Sequence, residues 1–334
     1  MREHILVTGG AGYVGNRLVP QLLSEGYQVT VYDQCYFGEE TLPLSDPNLS
    51  LVKADIRDTN AFKKAASGVN TVLHLACISN DPSFELNEAL SKSINYDCFE
   101  PLVLAAKSAG VSRFVYCSSS SVYGVSDLPE VTEEAPLVPL TLYNRYKGLC
   151  EPLLLRHISE GFTPVVIRPA TICGVSPRMR FDLTVNILTC HAVQKGVITV
   201  LGGSQKRPNL HIEDMCDAYL LMVRAEKNKI EGETFNIGHQ NLAIYDIAIT
   251  VKKEVEAEFP HKNPISIQVQ PSQDLRSYHI NSDKIFKKLS FKPKRVIEDA
   301  IRDICHAFQQ GRFQDAWQND WYYNVRHLKL HHIA

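Results

Sequence analysis

The sequence predicts an α/β chain: a doubly wound parallel sheet, with a smaller α/β lobe toward the C-terminus. Three observations predict it. Short apolar runs alternate with helix-like segments through roughly the first half, as strands do when crossover helices cover both faces of one sheet. The first of these runs breaks directly into a glycine-rich turn that opens a helix. Beyond residue 174 the alternation loosens into helices mixed with short strands.

Residues 5–7 (ILV) suit a buried parallel strand. Gly9, Gly12 and Gly15 follow at G-x-x-G-x-x-G spacing, and residues 16–23 (NRLVPQLL) begin a helix. The first glycine permits the strand-to-helix turn, the second lets the backbone approach a pyrophosphate, and the third lets helix and strand pack closely. The helix N-terminus then presents free N–H groups to that pyrophosphate. A second apolar strand (QVTVY, 28–32) ends in Asp33. An acid there suits the adenosine ribose hydroxyls of NAD and repels the extra phosphate of NADP. No Lys or Arg follows through Glu40, although Arg17 sits in the loop-helix. Turn, helix and acid together read as a Rossmann-type dinucleotide site, and the expected cofactor is NAD.

The next elements continue the winding. Residues 51–54 read as a third strand leading to Asp55 and Asp58, and 60–66 as a helix. TVLHLA (71–76) is a strand, 88–109 one longer helix, and RFVYC (113–117) a strand that runs into Ser118–Ser121. A proline-spaced loop precedes a helix over 143–159 and a strand over 164–169. Pro101 and Pro152 fall inside the two helical stretches and are expected to kink them. Later helices are expected at 213–225, 244–258 and 296–310, and strands at 199–201, 234–237 and 265–268. The division that follows is a dinucleotide domain over 1–174, also receiving parts of 206–240, and a substrate lobe from 175–205 and 241–334. Residues 320–334, rich in Tyr and His, show no pattern and read as a solvated tail; His331 and His332 are at most weak metal ligands.

Composition bounds the function. A hydrophobic content of 44% and a charged content of 22% are ordinary for a soluble globular chain. A net charge of −2 argues against a nucleic-acid or anionic-membrane footprint. No apolar run approaches the ~20 residues of a membrane span, and the N-terminus lacks a signal-peptide plan. The nine cysteines never form C-x-x-C and read as reduced core residues rather than disulfides or a metal site. A cytoplasmic protein with no metal, membrane or nucleic-acid partner is expected.

Two features after the strand over 113–117 carry chemistry. One is the serine run Ser118–Ser121; the other is Tyr143 with Lys147, four residues on. Positions i and i+4 share a helix face, so phenol and ammonium can enter one cleft. Free tyrosine titrates near about 10, and a nearby cation favours the phenolate, making it a usable base. A serine hydroxyl from the strand end could hold the reacting oxygen.

Here the chain resembles the extended short-chain dehydrogenase/reductases acting on nucleotide sugars, the NAD-dependent epimerase/dehydratase group. The resemblance runs to about residue 310. It rests on TGGAGYVG (8–15), Asp33, Asp55-Ile56, HLA (74–76), Asn95, SSSSVYG (118–124), Tyr143 and Lys147, RPATICG (168–174), RPNLHIEDM (207–215) and DLRSY (274–278). It implies Tyr143 as general base and acid, Lys147 on the nicotinamide ribose lowering the tyrosine pKa, and Ser119 as the catalytic hydroxyl. Cofactor contacts would come from Gly9, Gly12, Tyr13, Val14, Asp33, Asp55, Ile56, Leu75 and Ala76. Substrate contacts would come from Ser120, Asn186, Arg207 and the Asp274/Arg276 pair, arginine being suited to bidentate phosphate pairing. Arg178 and Arg180 could close over a diphosphate. Their segment, GVSPRMRFDLTVN (174–186), most resembles bacterial enzymes that modify GDP-heptoses. A homodimer packed through 88–109 and 143–159 is also implied.

The departures are informative. The 4,6-dehydratases of this group carry an acid and a base directly before the Val/Leu-Tyr-Gly, where this chain has Ser120 and Ser121, so dehydration is disfavoured. Thr171 stands where the similar 4-epimerases have Asn. Cys173 is a conceivable extra base, though a buried strand cysteine is the plainer reading. His74 reads as a hydrogen-bonded core or loop residue, and His211, beside Arg207, either shapes the nucleotide site or is structural. The expected activity is that of an NAD-dependent nucleotide-sugar epimerase, oxidising the sugar at C4 and returning the hydride. The alternatives are a net 4-dehydrogenase or 4-keto reductase, for example on a GDP-heptose, or a reductase of a non-nucleotide molecule. A non-catalytic NAD-binding protein would predict loss of the Ser/Tyr/Lys set, which is intact.

Overall fold

The computed structural model describes residues 3–126, 128–262, 264–272 and 277–332. Its strands in chain order are β1 (His4–Thr8), β2 (Gln28–Asp33), β3 (Leu49–Lys53), β4 (Thr71–His74), β5 (Arg113–Cys117), β6 (Thr163–Pro169), β7 (Thr171–Cys173), β8 (Val197–Leu201), β9 (Lys206–His211), β10 (Thr234–Ile237), β11 (Gln240–Ala243) and β12 (Ser266–Gln270). Seven of them form one sheet in the order β10-β6-β5-β4-β1-β2-β3, and every neighbouring pair is parallel. The pleat of β1 explains its wholly apolar run. Ile5 and Val7 face the layer holding the helices Gly15–Ser24 and Ile212–Arg224. Leu6 faces the opposite layer, with Phe62, Leu102 and Leu154. A strand buried on both faces gains nothing from polar alternation.

The winding reverses between β1 and β4, which are neighbours in the sheet but far apart in sequence. A crevice opens there beyond the strand ends. Gly9 makes the turn with φ +73°, and a Cβ on it would sit 2.7 Å from the Ala76 nitrogen.

The expected helix over 88–109 is broken into Glu88–Lys92, a π-helical turn Ser93–Asp97, and Phe99–Ser108. Pro101 lies in the first turn of the last piece, where its missing N–H costs nothing. The wide turn carries Asn95, whose side chain accepts from the Ile78 nitrogen at 2.8 Å and donates to the Ile78 carbonyl at 2.9 Å. The following helix runs through Pro152 but spans Leu142–Leu155, short of the expected 159.

From β7 onward, β10 apart, the strands build two small sheets. β9 pairs antiparallel with β11 and parallel with β7, and β8 pairs parallel with β12. The helices Thr184–Lys195, Ile244–Glu258 and Ile297–Gln309 enclose a core that includes Val185, Ile198, Val251 and Ile301. The expected solvated tail holds for His331 and His332, which are exposed, but not for residues 322–328. Tyr322, Tyr323, Asn324, His327 and Leu328 are buried, and a helix forms over Asn324–Leu330. The Tyr322 ring packs edge-on to Phe181 at 5.3 Å, in a cluster that also holds Tyr13 and Met179. No described helix is long and apolar enough to cross a membrane.

Candidate active site

A cleft of about 530 Å³ lies at the C-terminal ends of β1, β2, β4 and β5, walled on its far side by the segment after β7. At one end is the glycine turn. The helix Gly15–Ser24 begins with no side-chain cap and no acid in its first turn, so its positive end is left for an anion. Asp33 fixes the turn from beneath. Its oxygens accept from the Ala11 nitrogen at 2.9 Å and the Cys35 nitrogen at 2.7 Å. Burial nevertheless raises its carboxyl pKa. Asp55 is paired with Arg57 and takes its backbone N–H at 2.8 Å, while Tyr32 donates to the Asp55 carbonyl at 2.9 Å. Gly9, Gly12, Tyr13, Val14, Asp33, Asp55, Ile56, Leu75 and Ala76 all line the cleft. These groups fit a dinucleotide: a cradle that a side chain at Gly9 would fill, an uncapped helix end, and an acid beyond the second strand.

Ser119, Tyr143 and Lys147 meet at the other end. Thr141 caps the helix Leu142–Leu155, placing Tyr143 and Lys147 one turn apart on its cleft face. Lys147 Nζ donates to the Cys117 carbonyl at 2.7 Å and stands 6.0 Å from the Tyr143 ring centroid. Ser119 Oγ lies 2.7 Å from Ser121 Oγ, which in turn donates to Asn144 Oδ1. The expected lowering of the tyrosine pKa is reversed in the protein alone. Burial raises the phenol well above its ordinary value, the thiols of Cys77 and Cys117 and the carboxylate of Asp81 add to this, and Arg180 opposes it. Burial outweighs the cations.

A buried network supports this end from below. Glu151 accepts from Ser118 Oγ at 2.5 Å and from Arg168 Nη2 and Nε at 2.6 and 3.0 Å. Arg168 also donates to the Tyr123 hydroxyl at 2.6 Å, which donates to Asn236 Oδ1 at 2.7 Å.

Other expected site residues are placed differently. Ser120 is buried in the short turn Ser120–Tyr123 and does not line the cleft. Asn186 is fully buried; it donates to the Arg180 carbonyl at 2.9 Å and to the Tyr13 hydroxyl at 3.0 Å, and accepts from the Gly174 nitrogen at 3.0 Å. It braces the wall and is not among the residues that line the cleft. Arg207 lines the cleft 5.3 Å from the Tyr278 ring. Asp274 and Arg276 lie outside the described residues. Cys173 is no base: it is sealed in the core with its thiol pushed up by burial, 3.5 Å from the Leu210 carbonyl. Arg180 is held by Asp182 at 2.8 Å and by Ser79 at 3.1 Å. His74 is a buried partner of Thr8 at 2.9 Å, kept neutral by burial and by Lys147, which lower it to about 3. His211 caps the helix Ile212–Arg224, accepting from the Glu213 nitrogen at 3.2 Å.

Sequence reasoning missed Asn144, Tyr278 and Asn324 in the cleft region. Asn144 adjoins Tyr143 in the motif itself, and that adjacency was the available signal. Asn324 had none, since no periodic pattern surrounds it.

The model of the NAD dependent epimerase/dehydratase family matches residues 5–238. The chain belongs to this family. Among curated members, a UDP-glucose 4-epimerase of Lactobacillus helveticus is 27% identical over 325 residues, covering 89% of this chain and 94% of its own. A dTDP-glucose 4,6-dehydratase of Streptomyces niveus is 28% identical over 335 residues, covering 94% of each. A solved dTDP-glucose 4,6-dehydratase from Streptomyces venezuelae, with NAD bound, superposes with a TM-score of 0.82 at 23% identity, over 95% of this chain and 99% of that one. As a member of the epimerase/dehydratase family the protein is an NAD-dependent enzyme, and the glycine turn, Asp33 and the uncapped helix fit that cofactor.

Proposed function

We propose that the protein is a nucleotide-sugar 4-epimerase. Residues 175–205 and 241–334 form its substrate lobe, and Arg207 over Tyr278 receives the nucleotide diphosphate. The observation that carries the reading is the composition of the reacting end: Ser119, Tyr143 and Lys147 share it, while Ser121 is tied to Asn144 and Ser120 is buried. No carboxyl stands at either serine position to remove water from the sugar. Bound NAD⁺ supplies the hydride acceptor and a cationic ring that favours the phenolate.

Tyr143 takes the proton of the sugar C4 hydroxyl and later returns it. Ser119, itself oriented by Ser121, donates to the reacting oxygen. Lys147, anchored on the Cys117 carbonyl, holds the cofactor ribose and keeps positive charge beside the phenol. Relatives named as UDP-glucose 4-epimerases support the outcome. Exposed Leu104 and Leu149, on the helices Phe99–Ser108 and Leu142–Leu155, support a homodimer through those helices, checked by equilibrium sedimentation.

The test is to incubate the purified protein with UDP-, GDP-, CDP- and dTDP-sugars, following NADH absorbance and product stereochemistry by NMR. A C4-inverted sugar with no lasting NADH is the expected result. Accumulating NADH would instead mark a net 4-dehydrogenase, the outcome to which the 174–186 likeness to GDP-heptose enzymes points. No turnover of, or affinity for, any nucleoside diphosphate sugar would refute both.

A further inference from the structure

Arg178 is 1% exposed yet lines the cleft at its dinucleotide end. Its surroundings are incomplete for a cation. Nη2 donates to Asn324 Oδ1 at 2.6 Å, but buried Nε has no hydrogen-bond partner among the described residues. The guanidinium lies 3.8 Å from the Phe37 ring centroid. Burial, reinforced by Arg180, pulls its pKa down to about 9 against the opposing carboxylates of Asp182 and Asp33, neither of which hydrogen-bonds the guanidinium, and a buried guanidinium with an unused donor is costly unless an anion completes it.

The segment bearing Arg178 is tied to the glycine turn at two points. Tyr13 donates to the Gly174 carbonyl at 2.6 Å, and Ser176 donates to the Tyr13 carbonyl at 2.7 Å. These ties join the segment bearing Arg178 to the turn suited to the dinucleotide's phosphates. The C-terminal segment then closes over it. Asn324 Nδ2 donates to Ser79 Oγ at 2.9 Å, and its backbone N–H donates to Asp182 at 3.2 Å. Trp321 Nε1 donates to the Phe37 carbonyl at 2.9 Å, and His327 Nε2 lies 2.7 Å from the Tyr36 carbonyl. The loop beneath Arg178 and the segment above it are therefore one hydrogen-bonded unit.

We propose that Arg178 binds the pyrophosphate of the dinucleotide, and that Asn324 is the positioning residue by which the C-terminal segment clamps the cofactor in place. The in-plane N–H groups of the guanidinium that Asn324 does not engage supply charge-assisted donors that the backbone turn lacks. A cofactor held from both sides suits an enzyme that returns its own hydride without exchanging NAD.

The test compares Arg178→Met, Arg178→Lys and Asn324→Ala with the parent, measuring affinity for NADH, ADP-ribose and adenosine by calorimetry, with thermal unfolding as the control. Arg178→Met should weaken NADH and ADP-ribose by about 30-fold or more and leave adenosine within about threefold. Arg178→Lys should recover part of the loss, and Asn324→Ala should speed NADH release by about fivefold. Equal losses for all three ligands would mean that Arg178 only shapes the cleft, and would overturn the proposal. So would a preference for NADPH that Arg178→Met abolishes, since that places the contact on a ribose phosphate. A second measurement needs no variant: in the parent chain, ADP-ribose should slow amide exchange in peptides from 320–332 and saturating adenosine should not. Unchanged exchange with ADP-ribose would refute the clamp.

Discussion

Glu151→Gln tests how the floor of the reacting end is held. Glu151 and Arg168 are 3% and 6% exposed, and the carboxylate takes three donors: Arg168 Nη2 at 2.6 Å, Arg168 Nε at 3.0 Å and Ser118 Oγ at 2.5 Å. Glutamine keeps the shape but removes the charge, and turns one acceptor into an N–H₂ that faces other donors. A buried guanidinium then loses its counter-ion, a change that costs about 3–5 kcal/mol. Urea unfolding monitored by two probes, with the slope unchanged and the midpoint lowered, is the assay. The double variant Glu151→Leu with Arg168→Met removes the stranded cation and should lie closer to the parent than Glu151→Gln does. A loss below about 1 kcal/mol for Glu151→Gln would refute the account. So would a double variant that simply adds the two single losses, because the pair would then not be acting as one buried unit.

Three further outcomes follow from the site. Tyr143→Phe should lower kcat by about 10²–10⁴ while leaving NADH affinity, read by fluorescence titration, within about threefold; substantial residual turnover removes the proposed base. Gly9→Ala should cost about 2–4 kcal/mol, combining a positive φ with overpacking against the Ala76 backbone, and should impair NADH binding; a variant that unfolds at the parental urea midpoint contradicts the close approach. His74 is lowered from 6.5 to about 3 in the folded state, so below pH 6.5 the unfolded chain binds a proton that the native chain refuses. Its contribution to stability is full above pH 6.5 and is lost as pH falls toward 3, at about 1.4 kcal/mol per pH unit. His74→Asn should flatten the stability profile between pH 6 and 4 by roughly that slope, and an unchanged profile would mean that His74 is protonated in the fold.

What was legible in the sequence was the part whose physics is local. The glycine turn, Asp33 and the Tyr143/Lys147 pair are set by backbone freedom and helix spacing, and each reaches the cleft. The failures share another cause. Asn186 belongs to a segment that resembles ligand-binding relatives, but whether its amide faces a ligand or the neighbouring Tyr13 and Arg180 depends on packing that spacing does not report. Ser120 differs from Ser119 by one position in a tight turn, enough to send its side chain inward. The aromatic C-terminal stretch reads as tail because its rings are buried one by one against Phe181, Phe37 and Met179, which leaves no period for a pattern search. Pro101 misled for the opposite reason. The sequence places it in a helix interior, whereas a π-helical turn ends just ahead of it and makes it a first-turn residue.

The position of β10 bears on how the molecule is made. β6 is buried throughout (TPVVIRP), and among the described residues the strand that pairs with its outer edge is β10, from Val166 with Thr234 to Pro169 with Ile237. A nascent chain stopped at residue 174 would hold six parallel strands with an open apolar rim, a template for another chain's strand. The sheet is sealed only after some sixty more residues have been synthesised, a long-range closure of the kind that slows folding and exposes intermediates. The seven-stranded sheet is thus completed by a strand that the chain delivers after its excursion through β7, β8 and β9.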